Sequence, residues 1–448
     1  ASCCRQRGPG ASTCRGKDQL MRETAPRRVL CVAYHFPPLA GSSGIQRTLR
    51  FVQHLPGFGW QPLVLTTQER AYDQISPDQL QDIPAGTVVR RAFALDTARH
   101  LSVGGRYLAA MARPDRWVSW RFDGVRQGLK MVREFAPQAI WSTYPFATAH
   151  LIGGELARRT GLPWVADFRD PMAQEGYPSD AVTHAQFRQI EADVVRRAAI
   201  SVFTTPSAAE EYRRRYPESA HKIAVLENGY DEESFTHAAE LAKEGPLTPG
   251  CITLLHSGIV YPSERDPAQL IQALRLLHDA GQVMPGRLKL RFRAAVAEDL
   301  LRQLVPQHGV EAYVELLPAV PYRTALAEML RADALLILQA ANCNQQIPAK
   351  LYEYLRCGRP ILALTDVAGD TARTLNLAGV RTLAPLDNAA AIAELLGRFI
   401  QHGAALAGTT ATPAAVQSAS RAGRTRVLAA TLDALVGARQ TAQNTPMG

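Results

Sequence analysis

Residues 334–364, ALLILQAANCNQQIPAKLYEYLRCGRPILAL, contain the pattern that decides the fold. Two short apolar runs at the ends of this stretch flank a segment with helical periodicity, 348–357. Pro348 suits the first position of a helix, Gly358 suits the left-handed residue after the last turn, and Pro360 prevents continuation. We therefore predict a strand–helix–strand unit, which is the building block of a parallel sheet.

The same alternation of apolar runs and helical segments extends along most of the chain. Seven strands are predicted in the first half, at 29–33, 62–66, 87–91, 139–143, 164–167, 201–205 and 223–226. Six more are predicted in the second half, at 252–255, 288–292, 313–316, 334–338, 360–364 and 380–383, separated by helices at 267–280, 297–308, 321–331, 348–357 and 388–400. The pattern predicts an α/β fold with two Rossmann-like, doubly wound parallel-sheet domains that face each other across a cleft.

The segment between the two series, 236–250 (THAAELAKEGPLTPG), has Pro, Gly and charge in place of periodicity, and we predict a linker there. The predicted domains are a disordered leader (1–26), an N-terminal Rossmann-like domain (27–235), the linker, a C-terminal Rossmann-like domain (251–411) and an Ala-rich tail (412–448) with a helix at 423–436. Met21 is a candidate start of the protein.

Composition excludes several classes of protein. The 448 residues are 46% hydrophobic, and no stretch approaches the roughly 18 uninterrupted apolar residues of a spanning helix, which argues against transmembrane enzymes and channels. The seven cysteines form no pair with zinc-site spacing, which indicates a reduced, cytoplasmic protein. Neither predicted domain has a metal-binding Asp-x-Asp, and no metal or other cofactor is expected.

A glycine-containing loop follows the first predicted strand. Gly41 and Gly44 bracket two serines, directly before a helix that begins near Ile45. Such a loop presents backbone N–H groups and a helix N-terminus to an anion such as phosphate. The alternative is a turn that uses glycine only for backbone freedom.

Charged residues follow the fifth predicted strand. Asp167, Arg169 and Asp170 lie where a buried sheet would continue with apolar residues, which favours a position facing a cleft. The alternative is that Asp167 pairs with Arg169 while Asp170 caps the next segment.

The first strand of the second half ends in a small-residue turn. Ser257 and Gly258 precede Arg265, a cation suited to neutralising a diphosphate at the following helix. The alternative is a surface ion pair of Arg265 with Glu264 or Asp266.

The helix at 348–357 carries Lys350 in its first turn, against the helix-dipole preference for acids, which indicates an anionic ligand nearby. Glu353 follows one turn after Ala349, and its carboxylate can accept two hydrogen bonds from the diol of a ribose. The alternative is that both side chains are simply exposed.

Five segments occur in the order seen in the retaining glycosyltransferases of family 4: HFPPLAGSSGIQR, PWVADFRDP, TTPSAAEEY with LENGYDEESF, HSGIVYPSERDP and IPAKLYEYLRCGRPILAL. The chain resembles that family from residue 28 to about residue 400. Members have the two-domain GT-B architecture. Their C-terminal domain binds a nucleotide sugar, their N-terminal domain binds the acceptor, and transfer retains anomeric configuration, usually without metal.

By position, the resemblance implies that Glu353 binds the donor ribose and that Arg265 and Lys350 lie on or near the diphosphate. It implies a donor site that also includes Ser257, Gly258, Gln345, Leu351 and, closing from the first domain, Gly41 and Gly44. It implies that Asp167, Arg169 and Asp170 supply polar groups near the reacting centre, with Asp170 at the acceptor. One position departs from the pattern, because Gln345 stands where family members commonly carry a second Glu.

Most of the net charge of +9 lies in 90–133, which has ten Lys and Arg against three Asp, or +7. Trp117 and Trp120 are interleaved there with arginines, a composition that suits an anionic membrane interface. We predict that Arg113, Arg116, Trp117, Trp120 and Arg121 face the inner leaflet. The alternative is a core tryptophan stripe with a solvated arginine face. Nucleic acid is not an expected partner, since no recognition motif is present.

The sequence therefore predicts a cytoplasmic, membrane-peripheral glycosyltransferase. It would transfer sugar from a nucleoside-diphosphate sugar to a glycan or lipid-linked acceptor in cell-surface polysaccharide or glycolipid biosynthesis. Two alternatives stay open: a sugar-nucleotide 2-epimerase-like isomerase, and a catalytically weakened scaffold subunit, the latter suggested by Gln345.

Overall fold

The computed structural model describes residues 27–42 and 44–444. The leader predicted at 1–26 lies outside these residues. The described chain contains two parallel sheets, one of seven strands and one of six. This confirms the predicted fold class.

The first sheet has the strand order β3-β2-β1-β4-β5-β6-β7. Its strands are β1 (Arg27–Val32), β2 (Trp60–Thr67), β3 (Val88–Ala92), β4 (Ala139–Thr143), β5 (Trp164–Arg169), β6 (Ile200–Phe203) and β7 (Ile223–Val225). The helices of this part are α1 (Gly44–His54), α2 (Thr97–His100), α3 (Trp120–Phe135), α4 (Ala147–Thr160), α5 (Ala181–Arg197) and α6 (Pro206–Arg215). All seven strands predicted for the first half are present, with ends that shift by up to two residues.

The second sheet has the order β10-β9-β8-β11-β12-β13. Its strands are β8 (Ile252–Ser257), β9 (Leu288–Arg293), β10 (Val314–Leu317), β11 (Ala334–Gln339), β12 (Ile361–Thr365) and β13 (Leu383–Ala384). The predicted strand 380–383 is the largest deviation. Val380 instead ends the preceding helical segment, where its N–H bonds to the Leu375 carbonyl at 2.9 Å.

The helices that accompany the second sheet are α7 (Glu232–Leu241), α8 (Ala268–Asp279), α9 (Glu298–Gln307), α10 (Tyr322–Arg331), α11 (Lys350–Cys357), α12 (Asp370–Ala378) and α13 (Ala389–His402). The chain ends in α14 (Pro413–Ser418) and α15 (Arg421–Asn444). Strand β11 is buried along its whole length, which is why its sequence is a continuous apolar run rather than an alternating one.

The segment predicted as a linker is partly helical. Helix α7 covers 236–241, and a turn of 3₁₀ helix follows at Ala242–Glu244. The physical reason is that Ala, Leu, Glu and Lys in this segment are strong helix formers, even without a clear apolar stripe. By its internal contacts, the chain divides into one unit up to Val165 that also includes the end of α15 from Thr431, and a second unit, Ala166–Ala430. The predicted domain boundary at 236–250 stays a prediction.

Helix α15 is longer than the helix predicted at 423–436. In its first turn Arg424 forms an ion pair with Glu227. Further along, Asp433 accepts a hydrogen bond from the Trp60 indole at 2.7 Å and pairs with Arg27 at 2.8 Å. The Ala-rich tail is therefore held by specific polar contacts as well as by packing.

Candidate functional site

Helix α11 begins just after the carboxyl edge of the second sheet and has the ends that the sequence predicts. Gly358 adopts φ +64° after the last turn. The helix proper starts at Lys350, two residues later than predicted, and Pro348 forms the preceding turn by accepting a hydrogen bond from the Leu351 N–H at 2.9 Å. One face of α11 is buried in the core. The charged side chains of its first turn are Lys350 and Glu353.

Lys350 is held by a buried histidine. Its Nζ lies 3.1 Å from Nε2 of His256, a residue of β8, and Nδ1 of the same ring lies 3.0 Å from the Leu336 carbonyl. The carbonyl can only accept, so Nδ1 carries the proton and Nε2 accepts from the lysine. The imidazole therefore fixes the position of the ammonium group.

Burial sets the protonation of this pair. It lowers the pKa of Lys350 to about 7, with a further contribution from the charge of Arg265. Burial and the charge of Lys350 hold the pKa of His256 well below its ordinary value, so the histidine is neutral. At neutral pH such a lysine is partly protonated. An anion bound beside it raises the pKa of the lysine, so that the ammonium form predominates.

The turn after β8 lies against Lys350. Gly258 adopts φ +116°, and a Cβ built at this position would lie 3.1 Å from Lys350 Nζ. The backbone is fixed by bonds from the Gly258 N–H to the Arg293 carbonyl at 2.8 Å and from the Ser257 N–H to the Tyr354 hydroxyl at 3.1 Å. The structure thus places Ser257 and Gly258 beside Lys350, and their role at a donor stays a prediction.

Arg265 supplies a second cation near Lys350. Its guanidinium donates to the Ile259 carbonyl at 3.0 Å and lies 5.0 Å from the centre of the Tyr261 ring. Its Nε is buried and has no hydrogen-bond partner among the described residues. Neither Glu264 nor Asp266 forms an ion pair with Arg265 in the described part of the chain, so the surface-pair alternative has no support there.

Glu353 is half-buried and accepts a hydrogen bond from the Tyr322 hydroxyl at 2.7 Å. Burial raises the pKa of its carboxyl above the usual range, while the tyrosine and the positive charge of Arg421 act in the opposite direction. A desolvated carboxylate with one fixed donor is prepared to accept further hydrogen bonds.

The other two residues that the resemblance implies at the donor site behave differently. Gln345 is exposed in the loop before Pro348. Leu351 is fully buried in the core of the second sheet, and its role at the donor stays a prediction. Its burial follows from helix periodicity, because Leu351, Tyr354 and Leu355 share the face of α11 that packs on the sheet.

A separate cavity of about 510 Å³ lies at the carboxyl ends of β11, β12 and β13. Its lining includes Asp266, Asp366 and Asp387 beside Gln339. Three carboxylates make this cavity unfavourable for a diphosphate, in contrast to the cationic surroundings of Lys350.

The charged segment at the end of β5 belongs to the first sheet. Asp167 is buried, and Asp170 is exposed just beyond the strand, where its Oδ1 lies 3.3 Å from the Thr204 hydroxyl. Arg169 has φ +62°, an uncommon conformation for a residue with a side chain. Strained backbone of this kind is concentrated at functional sites, and the role of these residues at the reacting centre stays a prediction.

The glycine loop precedes α1, which begins at Gly44, close to the predicted start. Gly41 has φ +75°, and a Cβ there would lie 2.9 Å from the Gln74 side-chain oxygen. The Gly44 N–H bonds to the Ser42 hydroxyl at 3.3 Å. The positive φ explains the need for glycine at 41, and the anion-binding role of the loop stays a prediction.

The predicted membrane-facing tryptophans are buried, so the prediction that they face a membrane is wrong. The Trp117 indole donates to the Ala71 carbonyl at 2.9 Å, and its ring packs on Tyr34 and Phe146. Trp120 is fully buried, so the three-residue spacing marks a core stripe. Arg116 is tied to the buried Asp96, while Arg121 is exposed and Arg113 is half-buried.

His256 and Tyr322 are the two site residues that sequence reasoning missed. His256 is the titratable residue of the buried strand ITLLHS, a signal that points to a buried partner. Tyr322 is the first residue of α10 and carries no comparable signal.

Two features bear on metals and membranes. Within residues 27–42 and 44–444, no three His, Cys, Asp or Glu side chains are grouped so that they could hold a metal ion. In the same residues, no helix has the length and apolar character needed to cross a bilayer.

Comparisons with known proteins agree with this architecture. Residues 43–229 match the family model described as a glycosyl transferase 4-like domain. No curated protein matches the chain by sequence.

Three solved structures illustrate the similarity in fold. HepE from Anabaena, solved in complex with UDP, is 13% identical with a TM-score of 0.57 over 93% of this chain and 98% of its own. The trehalose 6-phosphate synthase of Burkholderia multivorans is 13% identical with a TM-score of 0.59, over 94% and 99%. The sucrose-phosphate synthase of Thermosynechococcus elongatus is 13% identical with a TM-score of 0.52, over 93% and 98%. These matches identify residues 43–229 as a glycosyl transferase 4-like domain, within a chain that has the GT-B glycosyltransferase fold, as the resemblance in sequence predicts.

Proposed function

We propose that this protein transfers a sugar from a nucleoside-diphosphate sugar to a glycan or lipid-linked acceptor, with retention of anomeric configuration. The observation that carries the proposal is the half-buried Lys350, held by the buried His256 against the Gly258 turn at the carboxyl edge of the second sheet. Structures with the same fold include HepE in complex with UDP and with UDP-glucose, so UDP is the first probe to use.

The chemistry needs positive charge where the diphosphate departs. Breaking the bond between the sugar and the diphosphate creates negative charge on the leaving oxygen. Lys350 and Arg265 are placed to stabilise that charge, together with the N-terminus of α11. Two cations and a helix end supply this stabilisation, and we propose that transfer proceeds without a metal ion.

Glu353 is proposed to bind the ribose. Its carboxylate already holds the Tyr322 hydroxyl, and the remaining lone pairs can accept hydrogen bonds from the two ribose hydroxyls. The distance along α11 from Lys350 to Glu353 is one turn, or about 5 Å. We propose that the two side chains contact the diphosphate and the ribose of the same nucleotide.

The acceptor side of the proposal rests on the first sheet. We propose that Asp170, exposed after β5, contacts the acceptor, and that the leaving phosphate itself takes the acceptor proton. A lipid-linked acceptor would place the enzyme at the inner membrane surface, in the synthesis of a cell-surface polysaccharide or glycolipid.

UDP affinity is expected to fall as pH rises above 7. The free enzyme holds Lys350 with a pKa of about 7, whereas a bound diphosphate keeps the lysine protonated. The complex therefore binds more protons than the free protein, so affinity is highest below pH 7 and declines roughly tenfold between pH 7 and pH 8.5. Isothermal titration calorimetry over this range measures the slope. A Lys350→Met variant, the control, should bind weakly with no such slope, and an equal slope in the variant would contradict the assignment.

Gly258→Ala is expected to weaken UDP binding roughly tenfold, because φ +116° strains any side-chain-bearing residue and the new Cβ displaces Lys350. Gly286→Ala is a matched control. Gly286 also has a positive φ, +81°, but a Cβ there meets nothing within 4 Å. Both variants should lose a similar amount of stability in thermal unfolding, and only Gly258→Ala should lose UDP affinity. Equal UDP affinity in the two variants would count against a nucleotide beside Gly258.

A two-step experiment tests the proposed function. A thermal-shift panel of nucleoside-diphosphate sugars first identifies the donor, and that donor with a labelled sugar is then incubated with membrane and polysaccharide extracts. Transfer of label into product, with the anomeric configuration read by NMR, supports a retaining transferase. Isomerised nucleotide sugar without acceptor would instead identify an epimerase. Donor binding without transfer or hydrolysis would identify a scaffold subunit.

A further inference from the structure

A loop of the first unit exposes several apolar side chains within a short stretch of chain. Residues 97–114, here called the docking loop, leave Val103 86% exposed and Leu108 72% exposed. Leu101, Tyr107 and Met111 of the same loop are also exposed. Five exposed apolar residues on one loop are a candidate interaction surface, whereas an exposed apolar residue that stands alone is ordinary.

The docking loop is held in a defined shape. Thr97 closes its base, since its hydroxyl lies 3.0 Å from the carbonyls of both Met111 and Arg116, and its N–H bonds to the Arg116 carbonyl at 2.9 Å. At the tip, Val103 and Arg106 exchange two backbone hydrogen bonds around Gly104 and Gly105, which both have positive φ. The apolar side chains are therefore presented by a fixed backbone.

The charge of the docking loop has one sign. It contains Arg99, Arg106 and Arg113 and no Asp or Glu. Two neighbouring acids are turned inward, because Asp96 is buried and paired with Arg116, and Asp115 bonds to Thr148 at 2.9 Å, while the exposed Asp73 pairs with Arg99 at 3.7 Å. A second copy of this chain would meet the loop with like charge, which disfavours self-association through this face.

We propose that the docking loop binds the surface of an anionic lipid bilayer. Arg106 at the tip contacts headgroup phosphates, while Val103, Leu108 and Met111 reach the acyl boundary and Tyr107 lies at the interface. These residues replace the buried Trp117 and Trp120 as the membrane-contacting set. The inference rests on the proposed function only for its purpose, which is access to a lipid-linked acceptor.

Flotation of the full chain with vesicles tests this proposal. Vesicles of phosphatidylcholine with about 30% phosphatidylglycerol should carry the protein at low salt, and vesicles of phosphatidylcholine alone should not. Leu108→Asp and Arg106→Glu should each lower the bound fraction at least tenfold. Leu377→Asp is the matched control, because Leu377 is 80% exposed on α12, outside the docking loop.

The results of this experiment distinguish an anionic membrane from a second copy of the chain as the partner of the docking loop. Binding that is lost in Leu108→Asp, kept in Leu377→Asp and weakened at about 0.5 M salt supports the membrane. Absence of binding to anionic vesicles, or equal binding by Leu108→Asp, would overturn the proposal, as would a concentration-dependent dimer that Leu108→Asp dissociates. The assay uses no nucleotide, so failure of UDP binding would refute the donor site and leave this result unaffected.

Discussion

Glu353→Ala is expected to raise the KM for the nucleotide sugar by more than about 100-fold, because hydrogen bonds to a charged group contribute about 1.5–3 kcal/mol each, the ribose diol would lose two of them, and about 1.4 kcal/mol is a factor of ten. Burial of the carboxyl makes each bond stronger than it would be at an exposed site. The fall in kcat should be smaller, since the ribose does not change charge during transfer. Steady-state kinetics with the donor from the thermal-shift panel measure both quantities.

Tyr322→Phe is the control for this variant. It removes the hydroxyl that bonds to Glu353 at 2.7 Å and leaves the carboxylate in place, so KM should change less than tenfold. Glu353→Gln should fall between the two, because it keeps an acceptor oxygen and loses the charge. Near-normal KM in Glu353→Ala would refute the ribose assignment.

Lys350→Met is expected to lower kcat by roughly 100- to 1000-fold, the loss that follows removal of one group that stabilises developing negative charge. The effect should exceed the effect on donor KM, since charge on the departing diphosphate is greatest in the transition state. Single-turnover measurements with saturating donor isolate this step.

Measurements of thermal stability distinguish a direct loss of kcat in Lys350→Met from misfolding of the variant. The folded pKa of Lys350, about 7, lies below its ordinary value of 10.5, so the charged lysine costs folding energy at neutral pH, and stability should rise as pH increases from 7 towards 10.5. Lys350→Met removes that cost, and its melting temperature should equal or exceed that of the wild type. Lys243→Met, at an exposed ion pair with Glu240, should change neither activity nor stability. A Lys350→Met variant with normal kcat would contradict the proposed chemistry.

Much of the fold follows from short-range patterns. Apolar runs such as 334–338 predict strands because a parallel strand is buried on both faces, and Pro348 and Gly358 predict the ends of α11 because of their backbone constraints. The sequence of 236–250 is ambiguous between helix and linker. Its helix formers compete with Pro and Gly in a stretch that has no apolar stripe, and α7 ends within it.

Donor-site residues that local helix rules mark can be predicted from the sequence. Contacts between residues far apart in the sequence cannot. Lys350 is anomalous within its own helix turn, so the sequence reveals it. His256 is 94 positions away, and only the pairing of β8 with β11 brings its ring beside the lysine. Trp117 lies in the turn before α3 and Trp120 is the first residue of that helix, so their orientation depends on how this segment packs on the core, and residue spacing alone is the same for both orientations.

We propose that the carboxyl edge of the second sheet binds a nucleoside diphosphate, and a crystal structure of the chain with UDP is the decisive measurement. We expect the ribose hydroxyls within hydrogen-bonding distance of Glu353, and the terminal phosphate in contact with Lys350 and Arg265 beside Gly258. UDP in the cavity lined by Asp266, Asp366 and Asp387, or UDP that leaves Lys350 and Glu353 uncontacted, would contradict it.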